Sequence, residues 1–390
     1  MFSKLSRKTL GRAALFKDVP VYVQFYVTAR CNLTCEQCNV IFANADVREC
    51  GISEIERIAD NLAELGVAIV LLTGGEPFAR KDLPEIIRAF ESRGVHVRMQ
   101  TNGLATEAQI VRAIEAGGCD ISISLDTLDS AKQDRINGGF PGSWNRALKA
   151  IATFSSYLPK EGSFASLGCV MQPTNVGDIE DVVRFGSAIG WYSSVVPVHI
   201  GKTTDPRGFR TFNSDLGFRS NEIAWIDTTV ERLRWLREAG FLLYDSDQYL
   251  DDICRFVRGE PITWRDRHGG VCDSPNLYFA ILPNGEFAPC CDHRMIASTP
   301  VFAPDFARKY RAREWRSTVR EVVSACDGCM YGSYPEMTIS MRFLSAKIQR
   351  FRTFLSAPVE KDWPLEYEYL LELATEIRLQ ERPRPCRNEG

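Results

Sequence analysis

No stretch of this 390-residue chain is apolar for long enough to cross a bilayer, since no run reaches the ~18 residues that a spanning helix needs. The opening MFSKLSRKTLGRAALF is basic and has no continuous apolar core, which argues against a secretory signal. Phe2, Leu5, Leu10 and Phe16 would line one face of a short basic helix. That helix is expected to pack on the domain, with a membrane surface as the alternative. Charge of either sign is not in excess: 47 basic against 50 acidic residues leave a net charge of −3. Neither a basic stripe for nucleic acid nor a long acidic tail is present. Internal repeats and low-complexity segments are also missing.

Cysteine, by contrast, is abundant. The chain has 13, an odd number, and they are clustered rather than scattered. Metal-bound thiolates in a reducing cytoplasm fit that pattern better than a disulfide scaffold. The length suits one large domain plus a smaller one.

From about residue 20 to 200, strand-length apolar runs alternate with helical periodicity. The runs cover 21–27, 68–73, 96–101, 120–126, 164–172 and 193–200. Amphipathic helices are expected over 52–65, 83–92, 107–116, 144–157 and 179–189. This pattern predicts a parallel sheet of six β/α units, open or partly barrel-like, with its working face at the C-terminal strand ends. TGGEP, TNG and LDT fall at three of those ends, where glycine lets a ligand approach the backbone. Residues 201–220 read as a long connection, with a helix following from about Glu222 to Ala239. LYFAILPNGEFAPC reads as a β-hairpin turning at Pro283-Asn284-Gly285.

Cys31, Cys35 and Cys38 sit just after the first strand, in a Cys-x3-Cys-x2-Cys spacing. Thiolates this close select iron–sulfur clusters or zinc. A [4Fe–4S] cube held by three cysteines leaves one iron open to a small molecule. With Gly74-Gly75-Glu76-Pro77 after the next strand, and TNG and SLD following in order, residues 20–200 resemble the radical S-adenosylmethionine (SAM) superfamily. The resemblance implies that the open iron chelates the methionine part of SAM. Reductive cleavage then gives a 5′-deoxyadenosyl radical that takes a hydrogen atom from substrate. It further implies that Gly74–Pro77, with Glu76, meets the SAM amino group. Gln37 would lie against the adenine, Ser124 would contact ribose or carboxylate, and Met171 would lie along the adenosine.

Cys272, Cys290, Cys326 and Cys329 form a second group that, on spacing alone, suits zinc or iron–sulfur equally. Beside a radical SAM core the group resembles the Twitch half of a SPASM domain, which implies one auxiliary [4Fe–4S] cluster on these four cysteines. Cys291 is an alternative to Cys290. Only Cys386 follows, so the second cluster of a full SPASM domain is not expected. The fold expected is therefore α/β: a partial (β/α)6 TIM-like barrel followed by a small α+β Twitch (half-SPASM) iron–sulfur domain. Its divisions are an extension (1–20), barrel (21–220), helical connector (221–264), Twitch unit (265–345), and C-terminal helix and tail (346–390).

Among the four histidines, His96 opens the third strand away from the working face, where a structural role is expected. His199 lies near that face as a proton carrier or substrate contact, or as a hydrogen-bonded lining residue. Gln24 and Tyr26 alternate with apolar neighbours and are candidates to face the substrate. Arg207 and Arg210 are candidates to hold an anionic group. Cys50, Cys119, Cys169 and Cys254 belong to no cluster motif and are expected to pack as small apolar residues. The resemblance implies a small-molecule enzyme, an oxidoreductase or lyase acting on a sugar or aminocyclitol, with the auxiliary cluster accepting an electron. Its reductant would be an external flavodoxin- or ferredoxin-type donor. An epimerase, a peptide-modifying maturase and a non-catalytic two-cluster electron carrier are the alternatives.

Overall fold

The computed structural model describes residues 11–13, 19–38, 40, 43–199, 216–266, 272–324, 326, 328–355 and 361–380. Arg207, Arg210, His268, Cys386 and most of the expected 201–220 connection lie outside the described residues. Six parallel strands come first: β1 (Tyr22–Thr28), β2 (Ile69–Gly74), β3 (His96–Thr101), β4 (Asp120–Ser124), β5 (Phe164–Met171) and β6 (Tyr192–Pro197). Between them run α1 (Ile52–Leu65), α2 (Leu83–Glu91), α3 (Glu107–Glu115), α4 (Ser130–Ile136), α5 (Ser143–Tyr157) and α6 (Ile179–Ala188). The six-unit β/α alternation expected from the sequence is present, with strand ends shifted by at most three residues.

Local sequence explains these elements. In α1, Ile55, Ile58, Ala59, Leu62 and Leu65 share one face and are buried. Glu54 accepts the Gly51 N–H at 3.1 Å to close its first turn, and Gly66 ends it in the left-handed conformation (φ 80°). The short α4 was not foreseen, because SAKQDRI has too few apolar residues for a period to show. Its start is fixed by Asp129, whose carboxylate accepts the Lys132 N–H at 2.9 Å.

After β6 follow α7 (Ile223–Glu238), α8 (Asp247–Val257), α9 (Thr263–Asp266), and the hairpin strands β7 (Tyr278–Ile281) and β8 (Phe287–Ala288). The chain continues with α10 (Phe306–Arg311), α11 (Arg313–Val323), α12 (Ser333–Arg342), α13 (Leu344–Leu355) and α14 (Tyr367–Leu379). The hairpin turns where the sequence places it. It does not, however, build a separate sheet. β7 pairs in parallel with β1, Tyr22 opposite Tyr278, giving one eight-stranded sheet in the order β6-β5-β4-β3-β2-β1-β7-β8. Among the named strands, only the β7–β8 pair is antiparallel.

The sheet does not close, its edges being β6 and β8, and α12 bridges from β1 and β7 towards β6. Tyr22 of β1 donates to Ser333 at 3.1 Å, and Tyr278 of β7 shares a 2.9 Å hydrogen bond with Thr338. On the other side, a β-carbon on Gly332 would lie 3.2 Å from Val196 of β6. The larger apolar core lies outside the sheet, between strands and helices, where Phe25, Leu72, Met99, Ile123 and Leu167 have no exposure; a smaller one, with Tyr22, Tyr26, Leu71, Tyr278 and Tyr334, packs on its inner side.

Candidate active site

The strand residues that point away from the helices line the concave face. On β3, β4, β5 and β6 the partly exposed residues are all inward ones, Arg98 and Gln100, Ser122 and Ser124, Gly168 and Val170, and Tyr192, Ser194 and Val196, while their outward neighbours are buried. Register links Tyr26 to Thr73, Gln100 to Ser122, Ser122 to Ser166 and Ser166 to Tyr192, and the Thr73 hydroxyl donates to the Gln100 amide oxygen at 3.4 Å. A continuous arc of hydroxyl and amide groups therefore crosses six strands. One level nearer the C-terminal ends lie Ser124, Gly168 and Ser194. A closed β/α barrel fills its interior with bulky branched side chains, whereas β3 to β6 here carry Gln100, Ser122, Ser124, Ser166 and Ser194 on this face.

The floor of the concavity is ionic. Arg98 lies 3.7 Å from Asp120 and its guanidinium stacks 4.5 Å from the Phe164 ring. Asp120 also receives His96 at 2.8 Å, so His96 serves the floor, as its place at the strand start suggests.

At the mouth, Cys31, Cys35 and Cys38 follow β1. Two contacts hold this loop against α4: the Glu36 N–H donates to Ile136 O at 3.1 Å, and the Cys35 thiol to Asn137 at 3.6 Å. Gly138 (φ 79°) lets Thr34 come close, since a β-carbon there would lie 2.3 Å from the Thr34 hydroxyl. The two glycines of the Gly-Gly-Glu-Pro turn work in the same way. A β-carbon on Gly74 would lie 2.3 Å from Thr28 O, and one on Gly75 would lie 2.1 Å from Arg30 O. Through that close approach Gly75 donates to Thr28 O at 2.9 Å and Glu76 to Arg30 O at 2.8 Å. The glycines thus serve strand-to-loop contact, not only the approach of a ligand.

Glu76 is buried and accepts three bonds: Thr101 at 2.8 Å, the Asn102 N–H at 2.8 Å and the Phe78 N–H at 3.0 Å. Burial pushes its pKa up to about 7. Gln37 donates to Asp126 at 3.0 Å, and burial raises that carboxyl to about 6. The Gln37 amide oxygen is buried without a hydrogen-bond partner, an acceptor at the cysteine loop that a bound donor would satisfy.

The thiols bear on what this loop can hold. Burial pushes Cys31 up to about 11, with the neighbouring Glu76 and Cys38 adding to the effect. Cys35 is driven well up by burial, then by Cys38 and Cys31. Thiolates packed against one another in this way call for a compensating cation. A tetrahedral zinc would hold its sulfurs ~3.8 Å apart, given its ~2.3 Å bonds. Among the described residues, only His96, Cys119 and Asp120 bring ligand atoms of three such side chains within 4.8 Å of one another. The cysteine loop is more open than one zinc requires, and suits thiolates that each take a different metal atom. The His96 group already spends Asp120 on His96 and Arg98.

The second cysteine group flanks the hairpin. Cys272 precedes β7, Cys290 follows β8, and Cys326 and Cys329 lie between α11 and α12. After burial, Cys290 is raised by Cys291, Asp292 and Cys272, and Cys329 by Cys290, Asp292 and Cys326. Cys326 likewise feels Cys272, so the four thiols form a circuit. Cys291 also acts on Cys290 and Cys329, and its thiol accepts a hydrogen bond from Tyr26 on β1.

His199 is built into this second group. Its Nε2 accepts the Met330 N–H at 3.0 Å, one residue beyond Cys329, and its ring stacks on Tyr331 at 3.8 Å. Burial drives its pKa down to about 3, so the ring stays neutral. Gln24 and Tyr26 share the inner face, and Gln24 donates to the Tyr26 hydroxyl at 2.8 Å. Met171 needs correcting. It has no exposure and belongs to the core beneath the helices, so β5 presents Val170 inward instead.

Sequence reasoning missed Asp126, Asn137 and the Gln100–Ser122–Ser166 arc. The arc had a signal: DISIS alternates polar with apolar, whereas a parallel strand covered on both faces reads as a continuous apolar run.

The Radical SAM superfamily model matches residues 25–186. Fe-coproporphyrin III synthase of Methanosarcina barkeri is 28% identical over 274 residues, covering 68% of this chain and 60% of the relative. The chain thus spans less than two thirds of that protein's length. The probable GTP 3′,8-cyclase of Pyrococcus abyssi is 30% identical over 219 residues, covering 56% of this chain and 70% of the relative. Streptococcus suis SuiB bound to S-adenosylmethionine shares the fold: TM-score 0.58 at 18% identity, over 80% of this chain and 71% of that one.

Proposed function

This chain belongs to the radical SAM superfamily, and on that premise we propose that it oxidises or dehydrates a hydroxyl-bearing carbon of a small polar molecule, a sugar or aminocyclitol. The observation that carries the substrate class is the polar arc Tyr26–Thr73–Gln100–Ser122–Ser166–Tyr192. Such side chains exchange donors and acceptors with a polyol, and Gln100, Ser122 and Tyr192 among them are partly exposed. Relatives named for a porphyrin and for a nucleotide stand beside others named for a peptide, so the polar arc carries the choice of substrate class.

In this reading Cys31, Cys35 and Cys38 hold a [4Fe–4S] cluster. When bound, the cluster and SAM supply a 5′-deoxyadenosyl radical for hydrogen abstraction. The Gly74–Pro77 carbonyls, with the Glu76 carboxylate behind them, face the cofactor's ammonium. The free Gln37 oxygen accepts from adenine, and Ser124 meets ribose or carboxylate. Gln24 and Tyr26 orient the substrate. His199 fixes the backbone beside Cys329 and does not carry protons. Cys272, Cys290, Cys326 and Cys329 hold a second [4Fe–4S] cluster as electron acceptor, and Cys291 is left to Tyr26. A flavodoxin- or ferredoxin-type donor supplies the reducing electron.

The test is anaerobic incubation of reconstituted protein with SAM and a reductant, alone and with deuterated sugars, aminocyclitols and peptides. A polyol that raises 5′-deoxyadenosine and passes deuterium into it supports the reading. Stimulation by peptides alone would overturn the substrate class. Metal analysis should give about eight irons and no zinc.

A further inference from the structure

Among the described residues, no element covers the outer face of α13 (Leu344–Leu355). Leu344 is 72% exposed, Ile348 44% and Phe351 63%. Their spacing of i, i+4 and i+7 puts all three on one stripe of the helix. The opposite face is anchored: Ala346 is fully buried, and Arg350 donates to Glu336 at 2.7 Å and stacks 3.6 Å from the Tyr244 ring. The helix therefore cannot roll to hide its apolar stripe. Lys347 and the exposed Arg352 border the stripe on its two sides. No acidic residue occurs between Met337 and Val359, in a chain that is net negative.

We propose that this face of α13 is a docking surface for an anionic lipid bilayer, with Leu344, Ile348 and Phe351 entering the interface and Lys347 and Arg352 meeting headgroup phosphates. Large side chains on one stripe with cations at its borders are what an interfacial helix requires. The stripe is a convex ridge, which a fluid interface receives without a preformed groove. Pairing with a second copy would set the bordering cations of one helix against those of the other, whereas an anionic surface complements them. The opening of the chain repeats the composition: residues 1–17 hold five cations and no acid alongside Phe2, Leu5, Leu10 and Phe16. No helix among the described residues is long and apolar enough to cross the membrane, so the contact is peripheral. This inference stands apart from the catalytic reading.

The experiment is flotation of the full-length reconstituted protein with vesicles of phosphatidylcholine alone and of phosphatidylcholine mixed with phosphatidylglycerol. Binding is expected to the mixed vesicles only, and to weaken as salt is raised. Ile348→Asp and Phe351→Asp should each weaken it by on the order of tenfold. The double variant Lys347→Gln/Arg352→Gln should do the same without touching the apolar stripe. Circular dichroism and iron content should match the wild type, because these side chains lie outside the core. No wild-type flotation with the mixed vesicles would overturn the proposal, as would Asp variants that float equally well. A wild-type dimer in light scattering that becomes monomeric in Phe351→Asp, with no vesicle binding, would assign the face to a second copy instead.

Discussion

Gly75 shows how little room a single position can have. Its missing β-carbon leaves space for Arg30 O, and that contact fastens the Gly-Gly-Glu-Pro turn to the loop of Cys31. Gly75→Ala should cost about 1–3 kcal/mol or more, because backbone rather than a flexible side chain must move. A lower melting temperature together with loss of iron from the first cysteine loop is the expected result. His199 presents a different case. Its lone pair is committed to the Met330 N–H and its neutral form is favoured by burial. His199→Phe keeps the stack on Tyr331 but leaves that N–H unpaired, at about 1–3 kcal/mol. Stability and iron at the second group should fall together. Loss of turnover with unchanged stability and iron would instead mark a proton carrier.

Strand β7 joins the second cysteine group to the barrel. It lies between β1 and β8, so Ala280→Pro would remove a ladder donor from the middle of a sheet. The expected outcome is loss of about four of about eight irons, from the group that includes Cys272 and Cys290, while the first loop keeps its share. The sequence foretold much at this scale. The apolar periods of β1–β6 and the helices between them were legible because each element buries one regular face, and Asn284-Gly285 announced its turn. The parallel pairing of β7 with β1 was not legible, since Tyr278 and Tyr22 are more than 250 residues apart and no local pattern encodes a partner strand. The site divided along the same line. Cys31, Cys35, Cys38 and Gly74–Pro77 stood out as contiguous motifs. Asp126 and Asn137 did not, because they become neighbours of the cysteine loop only through the fold. Met171 went astray through a one-residue phase: along a strand, adjacent residues face opposite ways.

For the molecule as a whole, buried carboxyls set the response to pH. Asp245 is 1% exposed, accepting the Ser194 hydroxyl at 2.8 Å and the Val195 N–H at 2.6 Å. Burial, then Glu336 on α12, pushes its pKa up to about 7, while Arg350 on α13 pulls the other way and Arg237 on α7 meets its carbonyl. A carboxyl with a raised folded pKa stabilises fully below its unfolded value of ~4, and that contribution is lost as pH rises through the folded value. The urea midpoint should therefore decline from mildly acidic to neutral pH. Asp245→Asn, whose amide can still pair with Ser194 and Val195, should flatten the decline, whereas an unchanged slope would remove Asp245 from the account. A final consequence follows from a sheet whose larger core lies on its outer side. Ser122 and Gln100 are partly exposed on the hollow side and belong to neither apolar cluster, so exchanging Ser122 for Thr or Gln100 for Glu should leave the protein foldable while altering what it admits. Such a scaffold can change its diet through a few point mutations, and descendants of one ancestor could part company in chemistry long before they part in shape.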